Sequence, residues 1–589
     1  MVWVGFVTGR LLGWTTVESL FAGAIIAISS TTIIAKAFDE QKVTGPLREF
    51  VVGVLIVEDL IAILLMATLT AIATGTGLSA YEMVKTTGKL AFFLIGLVAV
   101  GLLVVPRAVR AINRLGRPET TLVASIGFCF GVSLLAHEFG YSVALGAFIA
   151  GSLISESGEA KPIELLVQPV RDMFAAIFFV SVGVLIDPAV IAEHWGAIAV
   201  FTAVVIVGKV IGVSLGAFLT GNSVRNSVRS GMSLAQIGEF SFIIAALGLS
   251  LNATREFLYP IAVGVSALTT LTTPWLIKAS GPVANLIDRK MPRALQTFVA
   301  LYGSWAEQIQ NQRKQTTRAS AIRRLIRMLI LDVALLAVIA VGTTSGLELI
   351  AAVAESRLGL SAAVAPVAIM ALAVALALPL TTGVVRVARR LGLTLAEAAL
   401  PAAAEGKLDL AATPRRALVV TLQLGIVLLT GLPLLAFTQP ILGGFHGPIL
   451  FALLLIVLGI AFWRGAMNLQ GHVHAGAQTM AEAILAQARK GAAASAYLRH
   501  SPAEILDEVH KMLPGLGEPV PVQLDRGSLA VGKSLADLNL RGMTGATVLA
   551  ITRGEVGLLI PTAKEVLQEG DVLALAGSHD AIADAKGLL

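Results

Sequence analysis

Long apolar runs dominate this chain, and short polar stretches separate them. Leu90–Val105, Ile198–Thr220, Leu418–Leu435 and Ile449–Trp463 are four of the runs. A bilayer crossing takes about 20 helical residues. The pattern therefore predicts about fourteen membrane segments. They lie near 1–14 (partial), 17–36, 49–74, 88–105, 119–138, 142–155, 171–188, 196–220, 231–250, 256–279, 325–346, 363–385, 416–437 and 446–464. The pattern changes near the end. Pro514, Gly515, Gly517 and Pro519 punctuate a boundary, as clustered Pro and Gly do. Beyond Val520, β-branched runs (Thr547–Thr552, Val572–Ala576) alternate with Gly and Asp turns. That is the pattern of a small soluble α+β domain.

The basic residues test this layout. Lys36, Lys42 and Arg48 form one cluster, and Arg107, Arg110, Arg114 and Arg117 the next. Arg225 and Arg229 follow, then Arg313 to Arg327, then Arg386 to Arg416. An even number of expected crossings separates consecutive clusters, so all of them fall on one side. By the positive-inside rule that side is cytoplasmic, which places the C-terminus in the cytosol.

Composition agrees with a membrane protein. Hydrophobic residues make up 56% of the 589 and charged residues 14%, against about 25% charged in soluble domains. The net charge of +6 sits in the loops and gives no nucleic-acid signal. The single cysteine, Cys129, lies in an apolar run and forms no internal disulfide. Membrane lipids are the expected surroundings. No constellation for hydrolysis or group transfer is evident, so the chain reads as a non-enzyme, with no cofactor or metal.

A few charges violate the apolar pattern. Glu58 and Asp59 interrupt 51–73, Lys209 sits within 201–216, and Glu239 follows Gln236 and Gly238 in another apolar segment. A charge at a helix centre costs about 2.5–3.5 kcal/mol. Unpaired, Glu58, Asp59 and Lys209 would together cost about 8–10 kcal/mol, comparable with a domain's stability. They must pair or face water. Adjacent helix residues point about 100° apart, so one carboxylate can pair with Lys209 while the other lines an aqueous cavity. A carboxylate there is a hard ligand for an alkali cation and also a proton acceptor. One site can then hold either ion, which is the minimum for exchange. The alternative is a salt bridge that only holds helices together.

Two apolar segments also carry central polar clusters: Ser29, Ser30, Thr31 and Thr32 in one, Ser233, Gln236, Gly238 and Ser241 in the other. Such groups replace backbone hydrogen bonds where a helix unwinds. Half-helix ends at mid-membrane are where secondary transporters hold ions.

The ordered set SSTTIIAKAFDE, VLIVEDLIAILL, YSVALGAFIAGSLIS, VRDMFAAIFFVSVGVLIDP, VIVGKVIG and GMSLAQIGEFSFIIA resembles the monovalent cation:proton antiporter-2 family over residues 1 to about 280. The resemblance implies a polytopic all-α membrane protein with a sodium/proton-antiporter-like fold and two crossing unwound helices. It implies that Asp59 is the ion- and proton-binding carboxylate, with Glu58 beside it and Lys209 as charge partner. Ser29, Ser30, Thr31 and Thr32, with Gln236, Gly238 and Glu239, would form the crossing. Arg171 and Asp172 would belong to a core motif. The Glu-Asp pair departs from the family's Asp-Asp and Gln-Asp forms. Family members also carry roughly three helices before the Ser-Thr helix, whereas only Met1–Trp14 precedes it here. The N-terminal helices of the inverted repeat are therefore expected to be missing.

The tail pieces SLAVGKSLADLNL, GATVLAITRG and VLQEGDVLALAG resemble the RCK_C (TrkA C-terminal) module. That resemblance implies a cytosolic α+β regulatory domain and a homodimer. Arg541 and Arg553 are candidates to meet a small anionic ligand there, against the favoured alternative of solvated surface arginines. The expected organisation is a membrane exchanger domain over 1–282, a basic cytosolic linker over 283–322 and a further four-helix membrane region over 323–466. A helical linker over 467–514 and the regulatory domain over 515–589 follow. The expected function is exchange of K+ or Na+ for H+, with K+ favoured, in the inner membrane of a bacterium. A ligand-gated cation channel and a non-transporting membrane sensor are the alternatives.

Overall fold

The computed structural model describes residues 1–74, 80–139, 143–158, 160–184, 188–312, 319–345, 364–400, 412–442, 446–491 and, short stretches apart, 520–589. It divides into two compact units. One comprises Met1–Lys209, Ser233–Leu276 and Thr344–Ile350, and the other Val210–Met232, Ile277–Thr343 and Ala351–Leu589. Among the described residues, eight helices are long and apolar enough to cross a membrane.

The first unit opens with α1 (Val2–Leu11), α2 (Thr16–Ile25) and α3 (Thr31–Glu40). The span expected over 17–36 is thus two short helices. Thr15 starts α2 through a capping box, its side chain accepting from the Glu18 N–H while Glu18 accepts from the Thr15 N–H. This satisfies two orphan donors of the first turn. Glycine lets α1 and α2 approach closely. A Cβ on Gly5 would lie 2.7 Å from the Gly23 Cα, the small-residue packing usual between membrane helices.

The first half of the chain continues through α4 (Pro46–Thr74), α5 (Ala80–Asn113), α6 (Pro118–Glu138), α7 (Val143–Ser155) and α8 (Ala160–Val184). A short α9 (Pro188–Glu193) leads to α10 (Trp195–Leu219). The second interrupted segment is also two helices, α11 (Val224–Ser233) and α12 (Glu239–Ser250). The unit's core gathers Phe21, Ile26, Ile28, Ile63, Met66, Phe201, Val205, Ile237 and Ile244. These residues come from α2, α4, α10, α12 and both breaks, so the broken segments sit inside the packed interior.

The helix α13 (Leu258–Lys290) is followed by α14 (Arg293–Gln312). The helix α14 lies within the basic cytosolic linker expected over 283–322. Ala294, Phe298, Leu301, Tyr302 and Trp305 recur at helical spacing and form a buried core with Leu418, Val419, Ala466 and Leu469. Phe298 packs edge-on against Trp305 and Phe462, and the Tyr302 hydroxyl donates to the Leu219 carbonyl at 2.9 Å. Burial of that aromatic face, not the charge of its flanks, decides the structure.

Four long helices complete the second unit's membrane part: α15 (Ala319–Ser345), α16 (Ala365–Ala399), α17 (Ala412–Leu442) and α18 (His446–Gly491). Leu331, Val338, Val367, Leu372, Leu450 and Val457 on these helices are more than half exposed, as lipid-facing positions require. The helix α18 runs well beyond the apolar stretch, and the expected boundary at Pro514–Pro519 lies outside the described residues.

The C-terminal domain is an antiparallel sheet in the order β1-β4-β2-β3. Its strands are β1 (Val520–Gln523), β2 (Thr547–Thr552), β3 (Leu558–Leu559) and β4 (Val572–Ala576). Short helices α19 (Leu535–Leu538) and α20 (Leu540–Thr544) precede β2, and α21 (His579–Leu588) closes the chain. Ile551, Leu573, Leu575, Ala581 and Ala585 lie in its core. Asp571 is fully buried and receives both the Nε and Nη2 of Arg553 at 2.8 Å.

Candidate functional site

The site forms where the two breaks meet. The first runs over 26–30, between α2 and α3, and the second over 234–238, between α11 and α12. The Gly238 N–H donates to the Ile28 carbonyl at 3.3 Å. The Ser29 hydroxyl donates to the Leu234 carbonyl at 3.2 Å, and Gln236 Nε2 donates to the Ser30 carbonyl at 3.1 Å. A buried carbonyl or N–H left unpaired would be costly, and each break supplies partners for the other. Only glycine fits at 238, because a Cβ there would lie 2.6 Å from the Ser30 Cα.

Neighbouring helix ends are tied in as well. Ser241 of α12 donates to the Ile25 carbonyl at the end of α2, at 2.6 Å. Thr269 of α13 receives the Ile237 N–H at 3.4 Å, and Ser266 donates to the Ile237 carbonyl at 3.2 Å. The sequence reading did not single out Ser266 and Thr269. Their signal was the hydroxyl-rich run SALTTLTT at 266–273.

Lys209 is 1% exposed, and its Nζ stands 3.8 Å from Glu58 Oε2. It donates to the Ser29 hydroxyl at 2.6 Å, and the Ser29 N–H donates to Glu58 Oε2 at 2.7 Å. Ser29 therefore bridges ammonium and carboxylate. The expectation that one of the adjacent acids reaches Lys209 is met by Glu58. Asp59 turns elsewhere, as the 100° step requires, and accepts from the Thr31 hydroxyl at 3.2 Å. The Ser30 hydroxyl donates to Glu239 Oε2 at 2.7 Å.

Consecutive residues from the end of the first break into the start of α3 thus each meet a different acid: Ser29 meets Glu58, Ser30 meets Glu239 and Thr31 meets Asp59. Ser30 also caps α3 by accepting from the Ile33 N–H. The N-terminal end of α3, with its partial positive charge, lies where carboxylates gather, a favourable arrangement. Thr32 is exposed. Arg171 and Asp172 lie on α8, exposed and paired with each other at 2.8 Å, and the structure does not bring them to the crossing.

Comparison with known proteins agrees with this architecture. Residues 1–278 match the sodium/hydrogen exchanger transmembrane family, and residues 522–589 match the TrkA-C domain. The chain carries a segment similar to the sodium/hydrogen exchanger membrane family, followed by one that matches the TrkA-C domain. It is an integral membrane protein. The K(+) efflux antiporter 4 of Arabidopsis thaliana is 32% identical over 285 residues, covering 48% of each chain. The K(+) efflux antiporter 5 of the same plant is 31% identical over 48% of this chain and 50% of its own length. The Na(+)/H(+)-K(+) antiporter GerN of Bacillus cereus is 26% identical over 46% of this chain and 70% of its own. The chain spans about half the length of the first curated relatives it matches. The exchanger segment holds every residue of the crossing described above.

Proposed function

We propose that this protein exchanges a monovalent cation for protons across a membrane, with Asp59 as the group that carries either ion. The observation that carries this reading is the pairing of a fully buried lysine with one of two adjacent carboxylates. Lys209 stands beside Glu58, which leaves Asp59 with no basic partner among the described residues and with the Thr31 hydroxyl of the unwound segment against it. A carboxylate so placed binds a cation when deprotonated and loses it when protonated. Mutual exclusion at one oxygen set couples the two fluxes, and the broken helices give the polar backbone that a dehydrated ion needs at membrane depth.

The names of the relatives, K(+) efflux antiporters and a Na(+)/H(+)-K(+) antiporter, support K+ ahead of Na+ as the cation. The clusters of basic residues support a bacterial inner-membrane orientation with a cytosolic C-terminus. Residues 1–282 would carry the ions. The domain over 515–589 would regulate them, in a homodimer, through a small anionic ligand. Arg553 is committed to Asp571 and Glu565, so it offers such a ligand no free guanidinium. The Arg541 side chain lies outside the described residues.

Flux in proteoliposomes tests the reading. An imposed K+ gradient should drive a saturable proton counter-movement that builds a pH difference. Cation flux with no proton counter-movement would instead mean a channel.

A further inference from the structure

Glu239 begins α12, and a helix-start acid is ordinarily explained by the helix dipole alone. Three observations take it further. Glu58 has Lys209 as its counter-charge, whereas among the described residues no basic side chain pairs with Asp59 or Glu239. The hydroxyls of adjacent residues hold both acids, Ser30 holding Glu239 at 2.7 Å and Thr31 holding Asp59 at 3.2 Å, so the two carboxylates share one end of the crossing. Gln236, fully buried, supplies the independent sign. Its Nε2 is fixed on the Ser30 carbonyl at 3.1 Å, which settles the amide's orientation, and its Oε1 is buried with no hydrogen-bond partner. A buried carbonyl oxygen without a donor, tied through its amide to the same Ser30 that holds Glu239, joins two carboxylates that have no basic partner among the described residues; these are hard oxygen ligands of the kind alkali cations take.

We propose that Glu239 is a second ion ligand. With Asp59 and the Gln236 side-chain oxygen it forms a two-carboxylate site for a dehydrated monovalent cation. The proposal deepens the exchange reading and rests on it. Lys209 neutralises Glu58, so the Asp59–Glu239 pair carries two uncompensated charges. Both charges face the cation, so a proton on either carboxylate weakens its hold, and the mutual exclusion of cation and proton extends over the pair. Gly238 keeps the second break close enough for this, since its backbone lies against Ser30.

The test is a K+ titration of thermal unfolding on the purified full chain, run alongside proteoliposome flux. Glu239→Gln keeps an acceptor for the Ser30 hydroxyl and removes only the charge. A role confined to holding the helix break would leave its K+ dependence as in the wild type. The ligand role predicts half-saturation at K+ concentrations at least about tenfold higher, and Gln236→Met should raise it at least about threefold. Half-saturation within twofold of wild type in Glu239→Gln overturns the proposal. If Glu239→Gln does not fold, unchanged half-saturation in Gln236→Met overturns it instead. Wild-type exchange combined with a Glu239-independent titration sinks this inference alone. A Glu239-dependent titration with no proton movement leaves the site standing and sinks the exchange reading.

Discussion

Lys209 brings a full positive charge into the helix packing, and its neighbours decide whether the fold tolerates it. Its ammonium donates to the Ser29 hydroxyl and stands beside Glu58, and that hydroxyl in turn donates a hydrogen bond to the Leu234 carbonyl. Removing the lysine leaves the part-buried Glu58 without its side-chain counter-charge. Lys209→Ala should therefore destabilise the membrane part by about 3–5 kcal/mol, read as a lower unfolding midpoint. Glu58→Gln combined with Lys209→Gln should recover part of that loss, and a double-mutant cycle should show coupling. Additive effects would mean that the pair does not interact. This charge set was legible in the sequence because ionisable residues in apolar runs are rare. The partner of each acid was not legible. Glu58 and Asp59 are adjacent, and which of them meets Lys209 depends on how α4 is rotated against α10, which residue order does not encode.

Helices broken at matching depth are the elements that make the crossing. Gly238 is the tightest point between them. Its backbone is extended and unstrained, but a Cβ would meet Ser30 backbone atoms at 2.6–2.7 Å. Gly238→Ala should insert normally, lose about 1–3 kcal/mol from overpacking and lose exchange, because Ser30 and Thr31 can no longer hold their acids in place. Wild-type flux in that variant would show that the close approach is dispensable. The breaks were legible from hydroxyl clusters in apolar segments. The helix α14 was not, because its aromatic face at 298, 302 and 305 lies between strongly basic stretches whose charge suggests a loop.

In the C-terminal domain, burial pushes the Asp571 carboxyl up. Hydrogen bonds from Arg553 and the Gln568 N–H, with the Arg553 charge, outweigh burial and hold it below the usual carboxylate range. Asp571 therefore takes up a proton on unfolding in acid. The stabilisation is complete above the unfolded pKa of about 3.9 and is lost as pH falls through the folded value. Asp571→Asn should cost about 2–3 kcal/mol at neutral pH, moderated because Arg553 keeps some contact with water. It should also flatten the acid dependence of amide protection in β2 and β4. An unchanged acid dependence would show that the pair does not set it.

At the scale of the whole molecule, the carboxylate–lysine crossing and the sheet domain occupy separate stretches of chain. The carboxylates, the lysine and both breaks lie within residues matched by the exchanger family, and the sheet lies within the TrkA-C match. Deleting 515–589 should leave an inserted membrane part whose exchange persists with altered pH or ligand dependence, since a regulator shifts activity only through unequal binding to two states. Complete loss of exchange in an inserted, folded deletion would make the tail part of the transport machinery. The membrane region and the tail's strands were legible because each has its own periodicity, whereas the packing of α14 to α18 depends on contacts far apart in sequence. The most direct test of the central claim is K+-driven proton flux in proteoliposomes carrying wild type or Asp59→Asn. The account predicts saturable flux in the wild type and none in the correctly inserted Asp59→Asn protein. Equal flux in the two would contradict it.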